Sequence, residues 1–302
     1  MKKLSLLFCA AVVAMSACKE VGPNIILTAP PVAADKIDTT YVLAAGSIPS
    51  ADPHNILVEE FTGASCSNCP DAHEILHKLD STYPGRLNII ALHDSLSTLT
   101  VPPSGALYDF RVPLAWQIAV QVFNSSHTLP CGGVDRLPIG DASVFGSDYL
   151  TARNIWNSTI PGLLSVNDSL NIRLTSNYNA TTRKDSVTMT VTYLHPVSVP
   201  QNFTIALIED SIIDIQEFPG YNDPAYHFDA VFRTTASKTT TGDPLLPTMA
   251  TKEAGRVYQV SYKIPVDAAW KPEHCRLVAF VHGGSASNGV RVYQSAQTKV
   301  IP

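Results

Sequence analysis

The spacing of hydrophobic and polar positions changes character about halfway along the chain. Asn55 to Phe61 reads as a buried strand, with Val58, Glu60 and Thr62 on one side and Leu57, Glu59 and Phe61 on the other. Arg86 to Asp94 is a continuous apolar run, suited to the middle of a sheet. Between them Ile75, Leu76 and Leu79 recur at helical spacing, and Tyr83-Pro84-Gly85 supplies a stop. Ala106 to Phe123 is helical in pattern, with Leu114, Ile118 and Val122 on one face and an interruption at Pro113. Tyr149 to Ile160 reads as a closing helix. Beyond about residue 161 the period becomes two: Leu170 to Thr175 and Val187 to Tyr193 alternate, and further strands are expected at 203–209, 227–235, 256–264, 275–282 and 290–299. The pattern predicts an α/β domain over about 51–160, then an all-β domain over 161–302.

The front of the chain belongs to neither. Met1-Lys2-Lys3 is a basic start, Leu4 to Ala14 is an apolar run too short to span a bilayer, and Ser16-Ala17 precede Cys18. This resembles a bacterial lipoprotein signal peptide over 1–17, with cleavage before Cys18 and lipidation of its sulfur; the rival is an ordinary secretory signal cut nearby. Met15 departs from the usual leucine of that pattern. Residues 18–50, rich in Pro, Ala and Thr, read as the lipidated cysteine and a tether. No other stretch is apolar for the length of a membrane helix, so the expected protein is anchored to a membrane rather than spanning it. With 302 residues, 16% charged and a net charge of −5, the composition does not point to nucleic acid. The 22 prolines fit a turn-rich extracytoplasmic protein.

The chemistry concentrates where the first strand meets the first helix. Cys66-Ser67-Asn68-Cys69-Pro70 lies between them. Two intervening residues let both sulfurs meet across the first helical turn, and a helix N-terminus stabilises a thiolate. Pro70 suits an early helical position. This order resembles the thioredoxin active site, in which Cys66 attacks and Cys69 resolves. The resemblance implies two further residues. Glu60, six residues before Cys66, matches a buried acid that exchanges protons with the second cysteine. Pro130, in Leu129-Pro130-Cys131-Gly132-Gly133, matches a cis-proline that faces the cysteine pair. Two rivals stand beside this reading. One is a structural disulfide that closes a turn; the other is a metal site built from Cys66, Cys69, His73 and His77.

Once Cys9 leaves with the leader and Cys18 carries lipid, Cys131 and Cys275 remain beside the pair. They are either a second disulfide or two buried thiols. The all-β half, with about seven short strands, reads as an immunoglobulin-like β-sandwich. It shows no catalytic constellation, and its Asp210, Asp214, Glu217, Asp223 and Asp229 fall around an expected loop, either as a calcium site or as solvated acids. No cofactor is implied.

Val58 to Gly63, then Cys66 to Pro70, resemble the outer-membrane lipoproteins related to the twenty-eight-kilodalton outer membrane protein. Pro130 with Val134-Asp135-Arg136, Ile208-Glu209-Asp210 with Gln216, and Tyr226-His227 before Phe232-Arg233 extend the likeness in order. It implies a thioredoxin-like domain followed by an Ig-like sandwich, lipid-anchored at the outer membrane and facing the periplasm or the cell surface. Cys131, Ser65 in place of the thioredoxin tryptophan, and Ser67-Asn68 in place of Gly-Pro are departures. Two functions fit: a thiol–disulfide oxidoreductase with protein clients, or a surface adhesin, receptor or binding protein that keeps the disulfide as a staple.

Overall fold

The computed structural model describes residues 36–301, except 45, 238 and 285–288. The leader and Cys18 lie outside the described residues. The chain is mostly β, arranged in several sheets.

Strand β1 (Ile37–Val42) comes first, inside the stretch read as a tether. Next come β2 (Ile56–Phe61), α1 (Cys69–Thr82) and β3 (Leu87–Leu92). The crossover makes β2 and β3 parallel, with Ile56 opposite Leu87 and Phe61 opposite Leu92. Helix α2 (Pro113–Gln121) is shorter than the pattern suggested, because Pro113 begins it rather than interrupting it. Strand β4 (Cys131–Val134) returns antiparallel to β2.

A short α3 (Ala142–Phe145) and then α4 (Trp156–Leu163) follow. The expected helix from Tyr149 starts late, since Thr151 exchanges both backbone hydrogen bonds with Gly132 and is held in sheet geometry.

The remainder is strands: β5 (Leu170–Thr175), β6 (Tyr178–Asn179), β7 (Lys184–Tyr193), β8 (Gln201–Glu209), β9 (Ile212–Phe218), β10 (Tyr221–Phe228), β11 (Val231–Thr235), β12 (Asp243–Pro244), β13 (Arg256–Pro265), β14 (Cys275–Gly283) and β15 (Val292–Lys299). One sheet has the order β1-β13-β7-β5, with β6 on β7. The large sheet has the order β15-β14-β8-β11-β3-β2-β4, with β12 on β8. It passes from one half of the sequence to the other where β11 meets β3, Val231 opposite Ala91.

Strands β8 and β14 read as unbroken apolar runs because both their faces are covered. Phe203, Ile205, Leu207, Leu277, Ala279 and Val281 face the five-stranded sheet and its Val187, Met189 and Val191. Ala206, Ile208, Val278 and Phe280 face the other way and join Leu57, Phe61, Ile118 and Phe123. On β2 the alternation predicted from sequence holds: Leu57 and Phe61 enter that core, while Ile56 and Val58 pack with Leu76 and Leu79 of α1 and Trp156 of α4.

Buried ion pairs mark the joint. Glu209 of β8 pairs with Arg233 of β11 at 2.8 Å, and Glu59 of β2 takes a two-pronged contact from Arg136, 2.7 Å on each arm. No helix among the described residues is long and apolar enough to cross a membrane.

Candidate functional site: a covered disulfide over a neutral acid–imidazole cluster

Beyond Phe61 the backbone tightens into the cysteine turn. Cys66 N donates to Gly63 O at 3.1 Å, and Cys69 N to Cys66 O at 3.0 Å. This brings the two sulfurs into a disulfide, with Cα atoms 5.4 Å apart. Helix α1 starts at Cys69, with Pro70 in its first turn. Gly63 is needed here: a Cβ at this position would lie 2.3 Å from the carbonyl oxygen of Leu99. The segment around Leu99 therefore packs directly on the turn, and Ser65 N donates to Leu99 O at 3.0 Å. Ser65 donates its hydroxyl to Val101 O at 2.8 Å.

A second segment closes over the turn. Strands β9 and β10 form a separate two-stranded hairpin, where sequence suggested an acidic loop. Gln216 donates its amide to Cys66 O at 3.1 Å, and Glu217 N donates to Ala64 O at 2.9 Å. Cys66 is left 2% exposed and Cys69 0%.

The Leu129–Pro130 peptide is cis. Because Phe61 is paired with Cys131, Pro130 stands beside the start of the cysteine turn. Cys131 is a free, buried thiol, and burial, with Glu60 and Asp94 nearby, pushes its pKa far up. Cys275 is also free and buried, pushed up to about 12 mainly by burial. Of the two arrangements the sequence left open, the chain adopts two buried thiols. They sit in different cores, Cys131 with Phe61 and Phe123, Cys275 with Leu277 and Trp270.

Glu60 is buried, and burial holds its carboxyl well above the usual range, which favours the protonated form. Its Oε1 makes no hydrogen bond and lies 3.5 Å from His73 Nε2. His73, on α1, is 2.8 Å from Thr62 Oγ1 and, through Nδ1, 2.6 Å from the Tyr226 hydroxyl of β10. Burial lowers His73 to about 4, and His93 to about 3. No hydrogen bond of good geometry reaches either ring nitrogen of His93, although the Ala91 backbone lies near enough to offset a little of the effect of burial; the ring packs against Phe110 at 5.2 Å. Burial thus disfavours the charged form of all three titratable groups in this cluster.

The acids expected as a possible calcium site have other work. Asp210 binds Arg276 with both oxygens, Asp214 accepts from Leu107 N and Tyr108 N, and Asp223 and Asp229 accept from Ala225 N and Ser211 N. Among the described residues no three His, Cys, Asp or Glu side chains gather as metal ligands.

Sequence reasoning passed over His54. It is buried between Asp135, 2.8 Å from Nε2, and Asp168, 2.9 Å from Nδ1. Burial alone would lower its pKa, but the two aspartates outweigh that and hold it at about 9. Two motif residues carried half a signal. Asp135 and Arg136 were noted as a motif, and they are the partners of His54 and Glu59.

The model of the outer membrane protein Omp28 family matches residues 119–300. No curated protein matches the sequence. Among solved structures, HBP35 of Porphyromonas gingivalis aligns with a TM-score of 0.62 at 18% identity, over 83% of this chain and 77% of that one. The likeness is one of fold. Protein AGR_C_4864 from Agrobacterium tumefaciens aligns with a TM-score of 0.47 at 12% identity, over 83% of this chain and 96% of that one.

Proposed function

The chain belongs to the outer membrane protein Omp28 family, and from that premise we propose a lipid-anchored envelope binding protein. In this reading Cys18 carries the lipid, residues 51–160 form a thioredoxin-like domain and 161–302 an Ig-like sandwich. The Cys66–Cys69 disulfide is a staple that fixes the turn beneath a binding surface. The supporting observation is the cover. Thiol–disulfide exchange needs a thiolate to approach a sulfur in line with the S–S bond. Both cysteines are exposed by no more than 2%, and the β9–β10 hairpin is bonded to the backbone of the turn that carries them.

A specific set of residues favours a second reading, an oxidoreductase that works when the hairpin lifts. Cis Pro130 stands beside the cysteine turn, and Glu60, whose carboxyl burial pushes up, lies on the strand that leads into it. Cys66 would attack, Cys69 would resolve, Pro130 would shape the client site, and Glu60 would supply the proton that the departing thiolate takes up.

One experiment separates the two. Cys69→Ser, expressed in the native envelope, is resolved on non-reducing gels beside Cys66→Ser. The binding-protein reading expects no mixed disulfides and a wild-type bond that resists small thiols under native conditions. Discrete adducts that require Cys66 would overturn it and establish the gated oxidoreductase. Intact mass of the mature protein tests the lipid: an unmodified Cys18, or a cleavage site beyond it, removes the anchor.

A further inference from the structure

A cavity of about 680 Å³ opens between α1, strand β3 and the base of the β9–β10 hairpin. We infer that it is a binding site for an uncharged aromatic molecule that ends in a hydroxyl or carbonyl group.

Its volume lies in the range of small-molecule sites, roughly 300–1,000 Å³. Its walls are aromatic: Phe218, Tyr226 and Phe228 line it, with Tyr226 edge-on to Phe228 at 4.9 Å and to Phe218 at 5.9 Å. Offset and edge-on contacts of this kind accept a further ring. Its inner end is polar yet unsatisfied. Glu60 and His93 both line the cavity, both are buried, and the Glu60 Oε1 and both His93 nitrogens lack partners. Native proteins seldom leave such groups unpaired, because each one costs about 1–3 kcal/mol. A phenylalanine in place of His93 would fill the same space without that cost. A ligand that accepts from one group and donates to another accounts for their retention.

Charge narrows the class. Burial disfavours the charged forms of Glu60, His73 and His93 alike, so the inner end offers no settled counter-charge, and a buried ion without one is strongly disfavoured. Arg276 on the wall is already held by Asp210, and the other carboxylates that line the cavity, Asp71, Glu74, Asp80 and Asp229, are exposed or half-buried, where solvent screens them. A protonated carboxyl donates, and a neutral imidazole offers one donor and one acceptor. A hydroxyl or carbonyl on an aromatic body meets these demands. The inference does not depend on whether the disulfide turns over.

The test uses the purified protein and three probes of one shape. 1-Naphthol is expected to bind at a single saturable site by calorimetry. The anionic 1-naphthoate and the cationic 1-naphthylmethylammonium should bind at least about tenfold more weakly. His93→Phe should weaken 1-naphthol by about tenfold while its thermal midpoint stays level or rises. A readout that needs no variant is the imidazole nitrogen spectrum, in which 1-naphthol should shift His93 and leave His54 unmoved. Absence of saturable 1-naphthol binding overturns the inference. So does equal affinity for the two ions, or a bound 1-naphthol that leaves the His93 resonances in place.

Discussion

Two clusters of buried histidine and carboxylic acid lie on the same strand system and are built on opposite terms. His54 bonds to a carboxylate through each ring nitrogen and is held charged. No well-formed hydrogen bond reaches either nitrogen of His93, which burial holds neutral, and it shares a cavity with Glu60, whose carboxyl burial pushes up. Both rings are nearly shut off from solvent, and although His93 is packed more deeply, burial can only lower a histidine and so does not explain shifts of opposite sign. Partners do. A satisfied cluster is a structural rivet: every proton has a destination inside the fold. An unsatisfied cluster beside a cavity leaves its hydrogen bonds for something that arrives later.

The contrast can be broken from either side. The largest effect belongs to His54→Leu, which leaves Asp135 and Asp168 buried without their cation; it should cost about 3–5 kcal/mol by urea denaturation at pH 7. The next is the pH profile. His54 is raised in the folded state, so its contribution is complete below about pH 6.5, where the unfolded histidine is also protonated. It is lost as pH rises through about 9, a fall of up to about 3 kcal/mol that should vanish in His54→Leu. His73 and His93 are lowered, so they act at the other end: stability falls as pH drops from about 6.5 towards 4 and then 3, when the unfolded chain takes up protons first.

A smaller effect tests the cover. Gln216→Leu removes the amide that holds Cys66 O, and should speed reduction of Cys66–Cys69 by a small thiol by about tenfold, followed by alkylation and mass. An unchanged rate would show that the hairpin does not guard the bond. The smallest shift is that of His93→Phe, which should be neutral or stabilising by up to about 1 kcal/mol at pH 7, with a flatter acid limb.

Much of this molecule was legible in the chain, and the failures have a common cause. Local periodicity identified the strand–turn–helix around the cysteines, and marked both alternating strands such as Val187 to Tyr193 and continuous ones such as Ile89 to Leu92. The place of Pro130 after the crossover suggests a cis peptide, and its peptide is cis; the spacing of Glu60 from Cys66 suggests a buried acid, and it is buried.

The hairpin over the disulfide was missed because its inward positions are polar. Asp214 and Gln216 are buried on β9 while Ile213 is exposed, which inverts the usual alternation. They face inward because they serve backbone groups of other segments, Leu107 N and Tyr108 N for Asp214, and Cys66 O for Gln216. His54 was missed for a related reason. Its partners lie at 135 and 168, and nothing near residue 54 announces them. The tether estimate failed over Ile37–Val42 because that strand draws its support from β13 rather than from a core of its own.

That last pairing has a mechanical consequence. The first strand is zipped to β13 at six positions, from Ile37 opposite Ser261 to Val42 opposite Arg256. Force applied along the N-terminal segment meets this zipper before it can reach β2 and the cysteine turn that follows. Such a pull is borne by the five-stranded sheet, and the disulfide, the cavity and the hairpin stay slack.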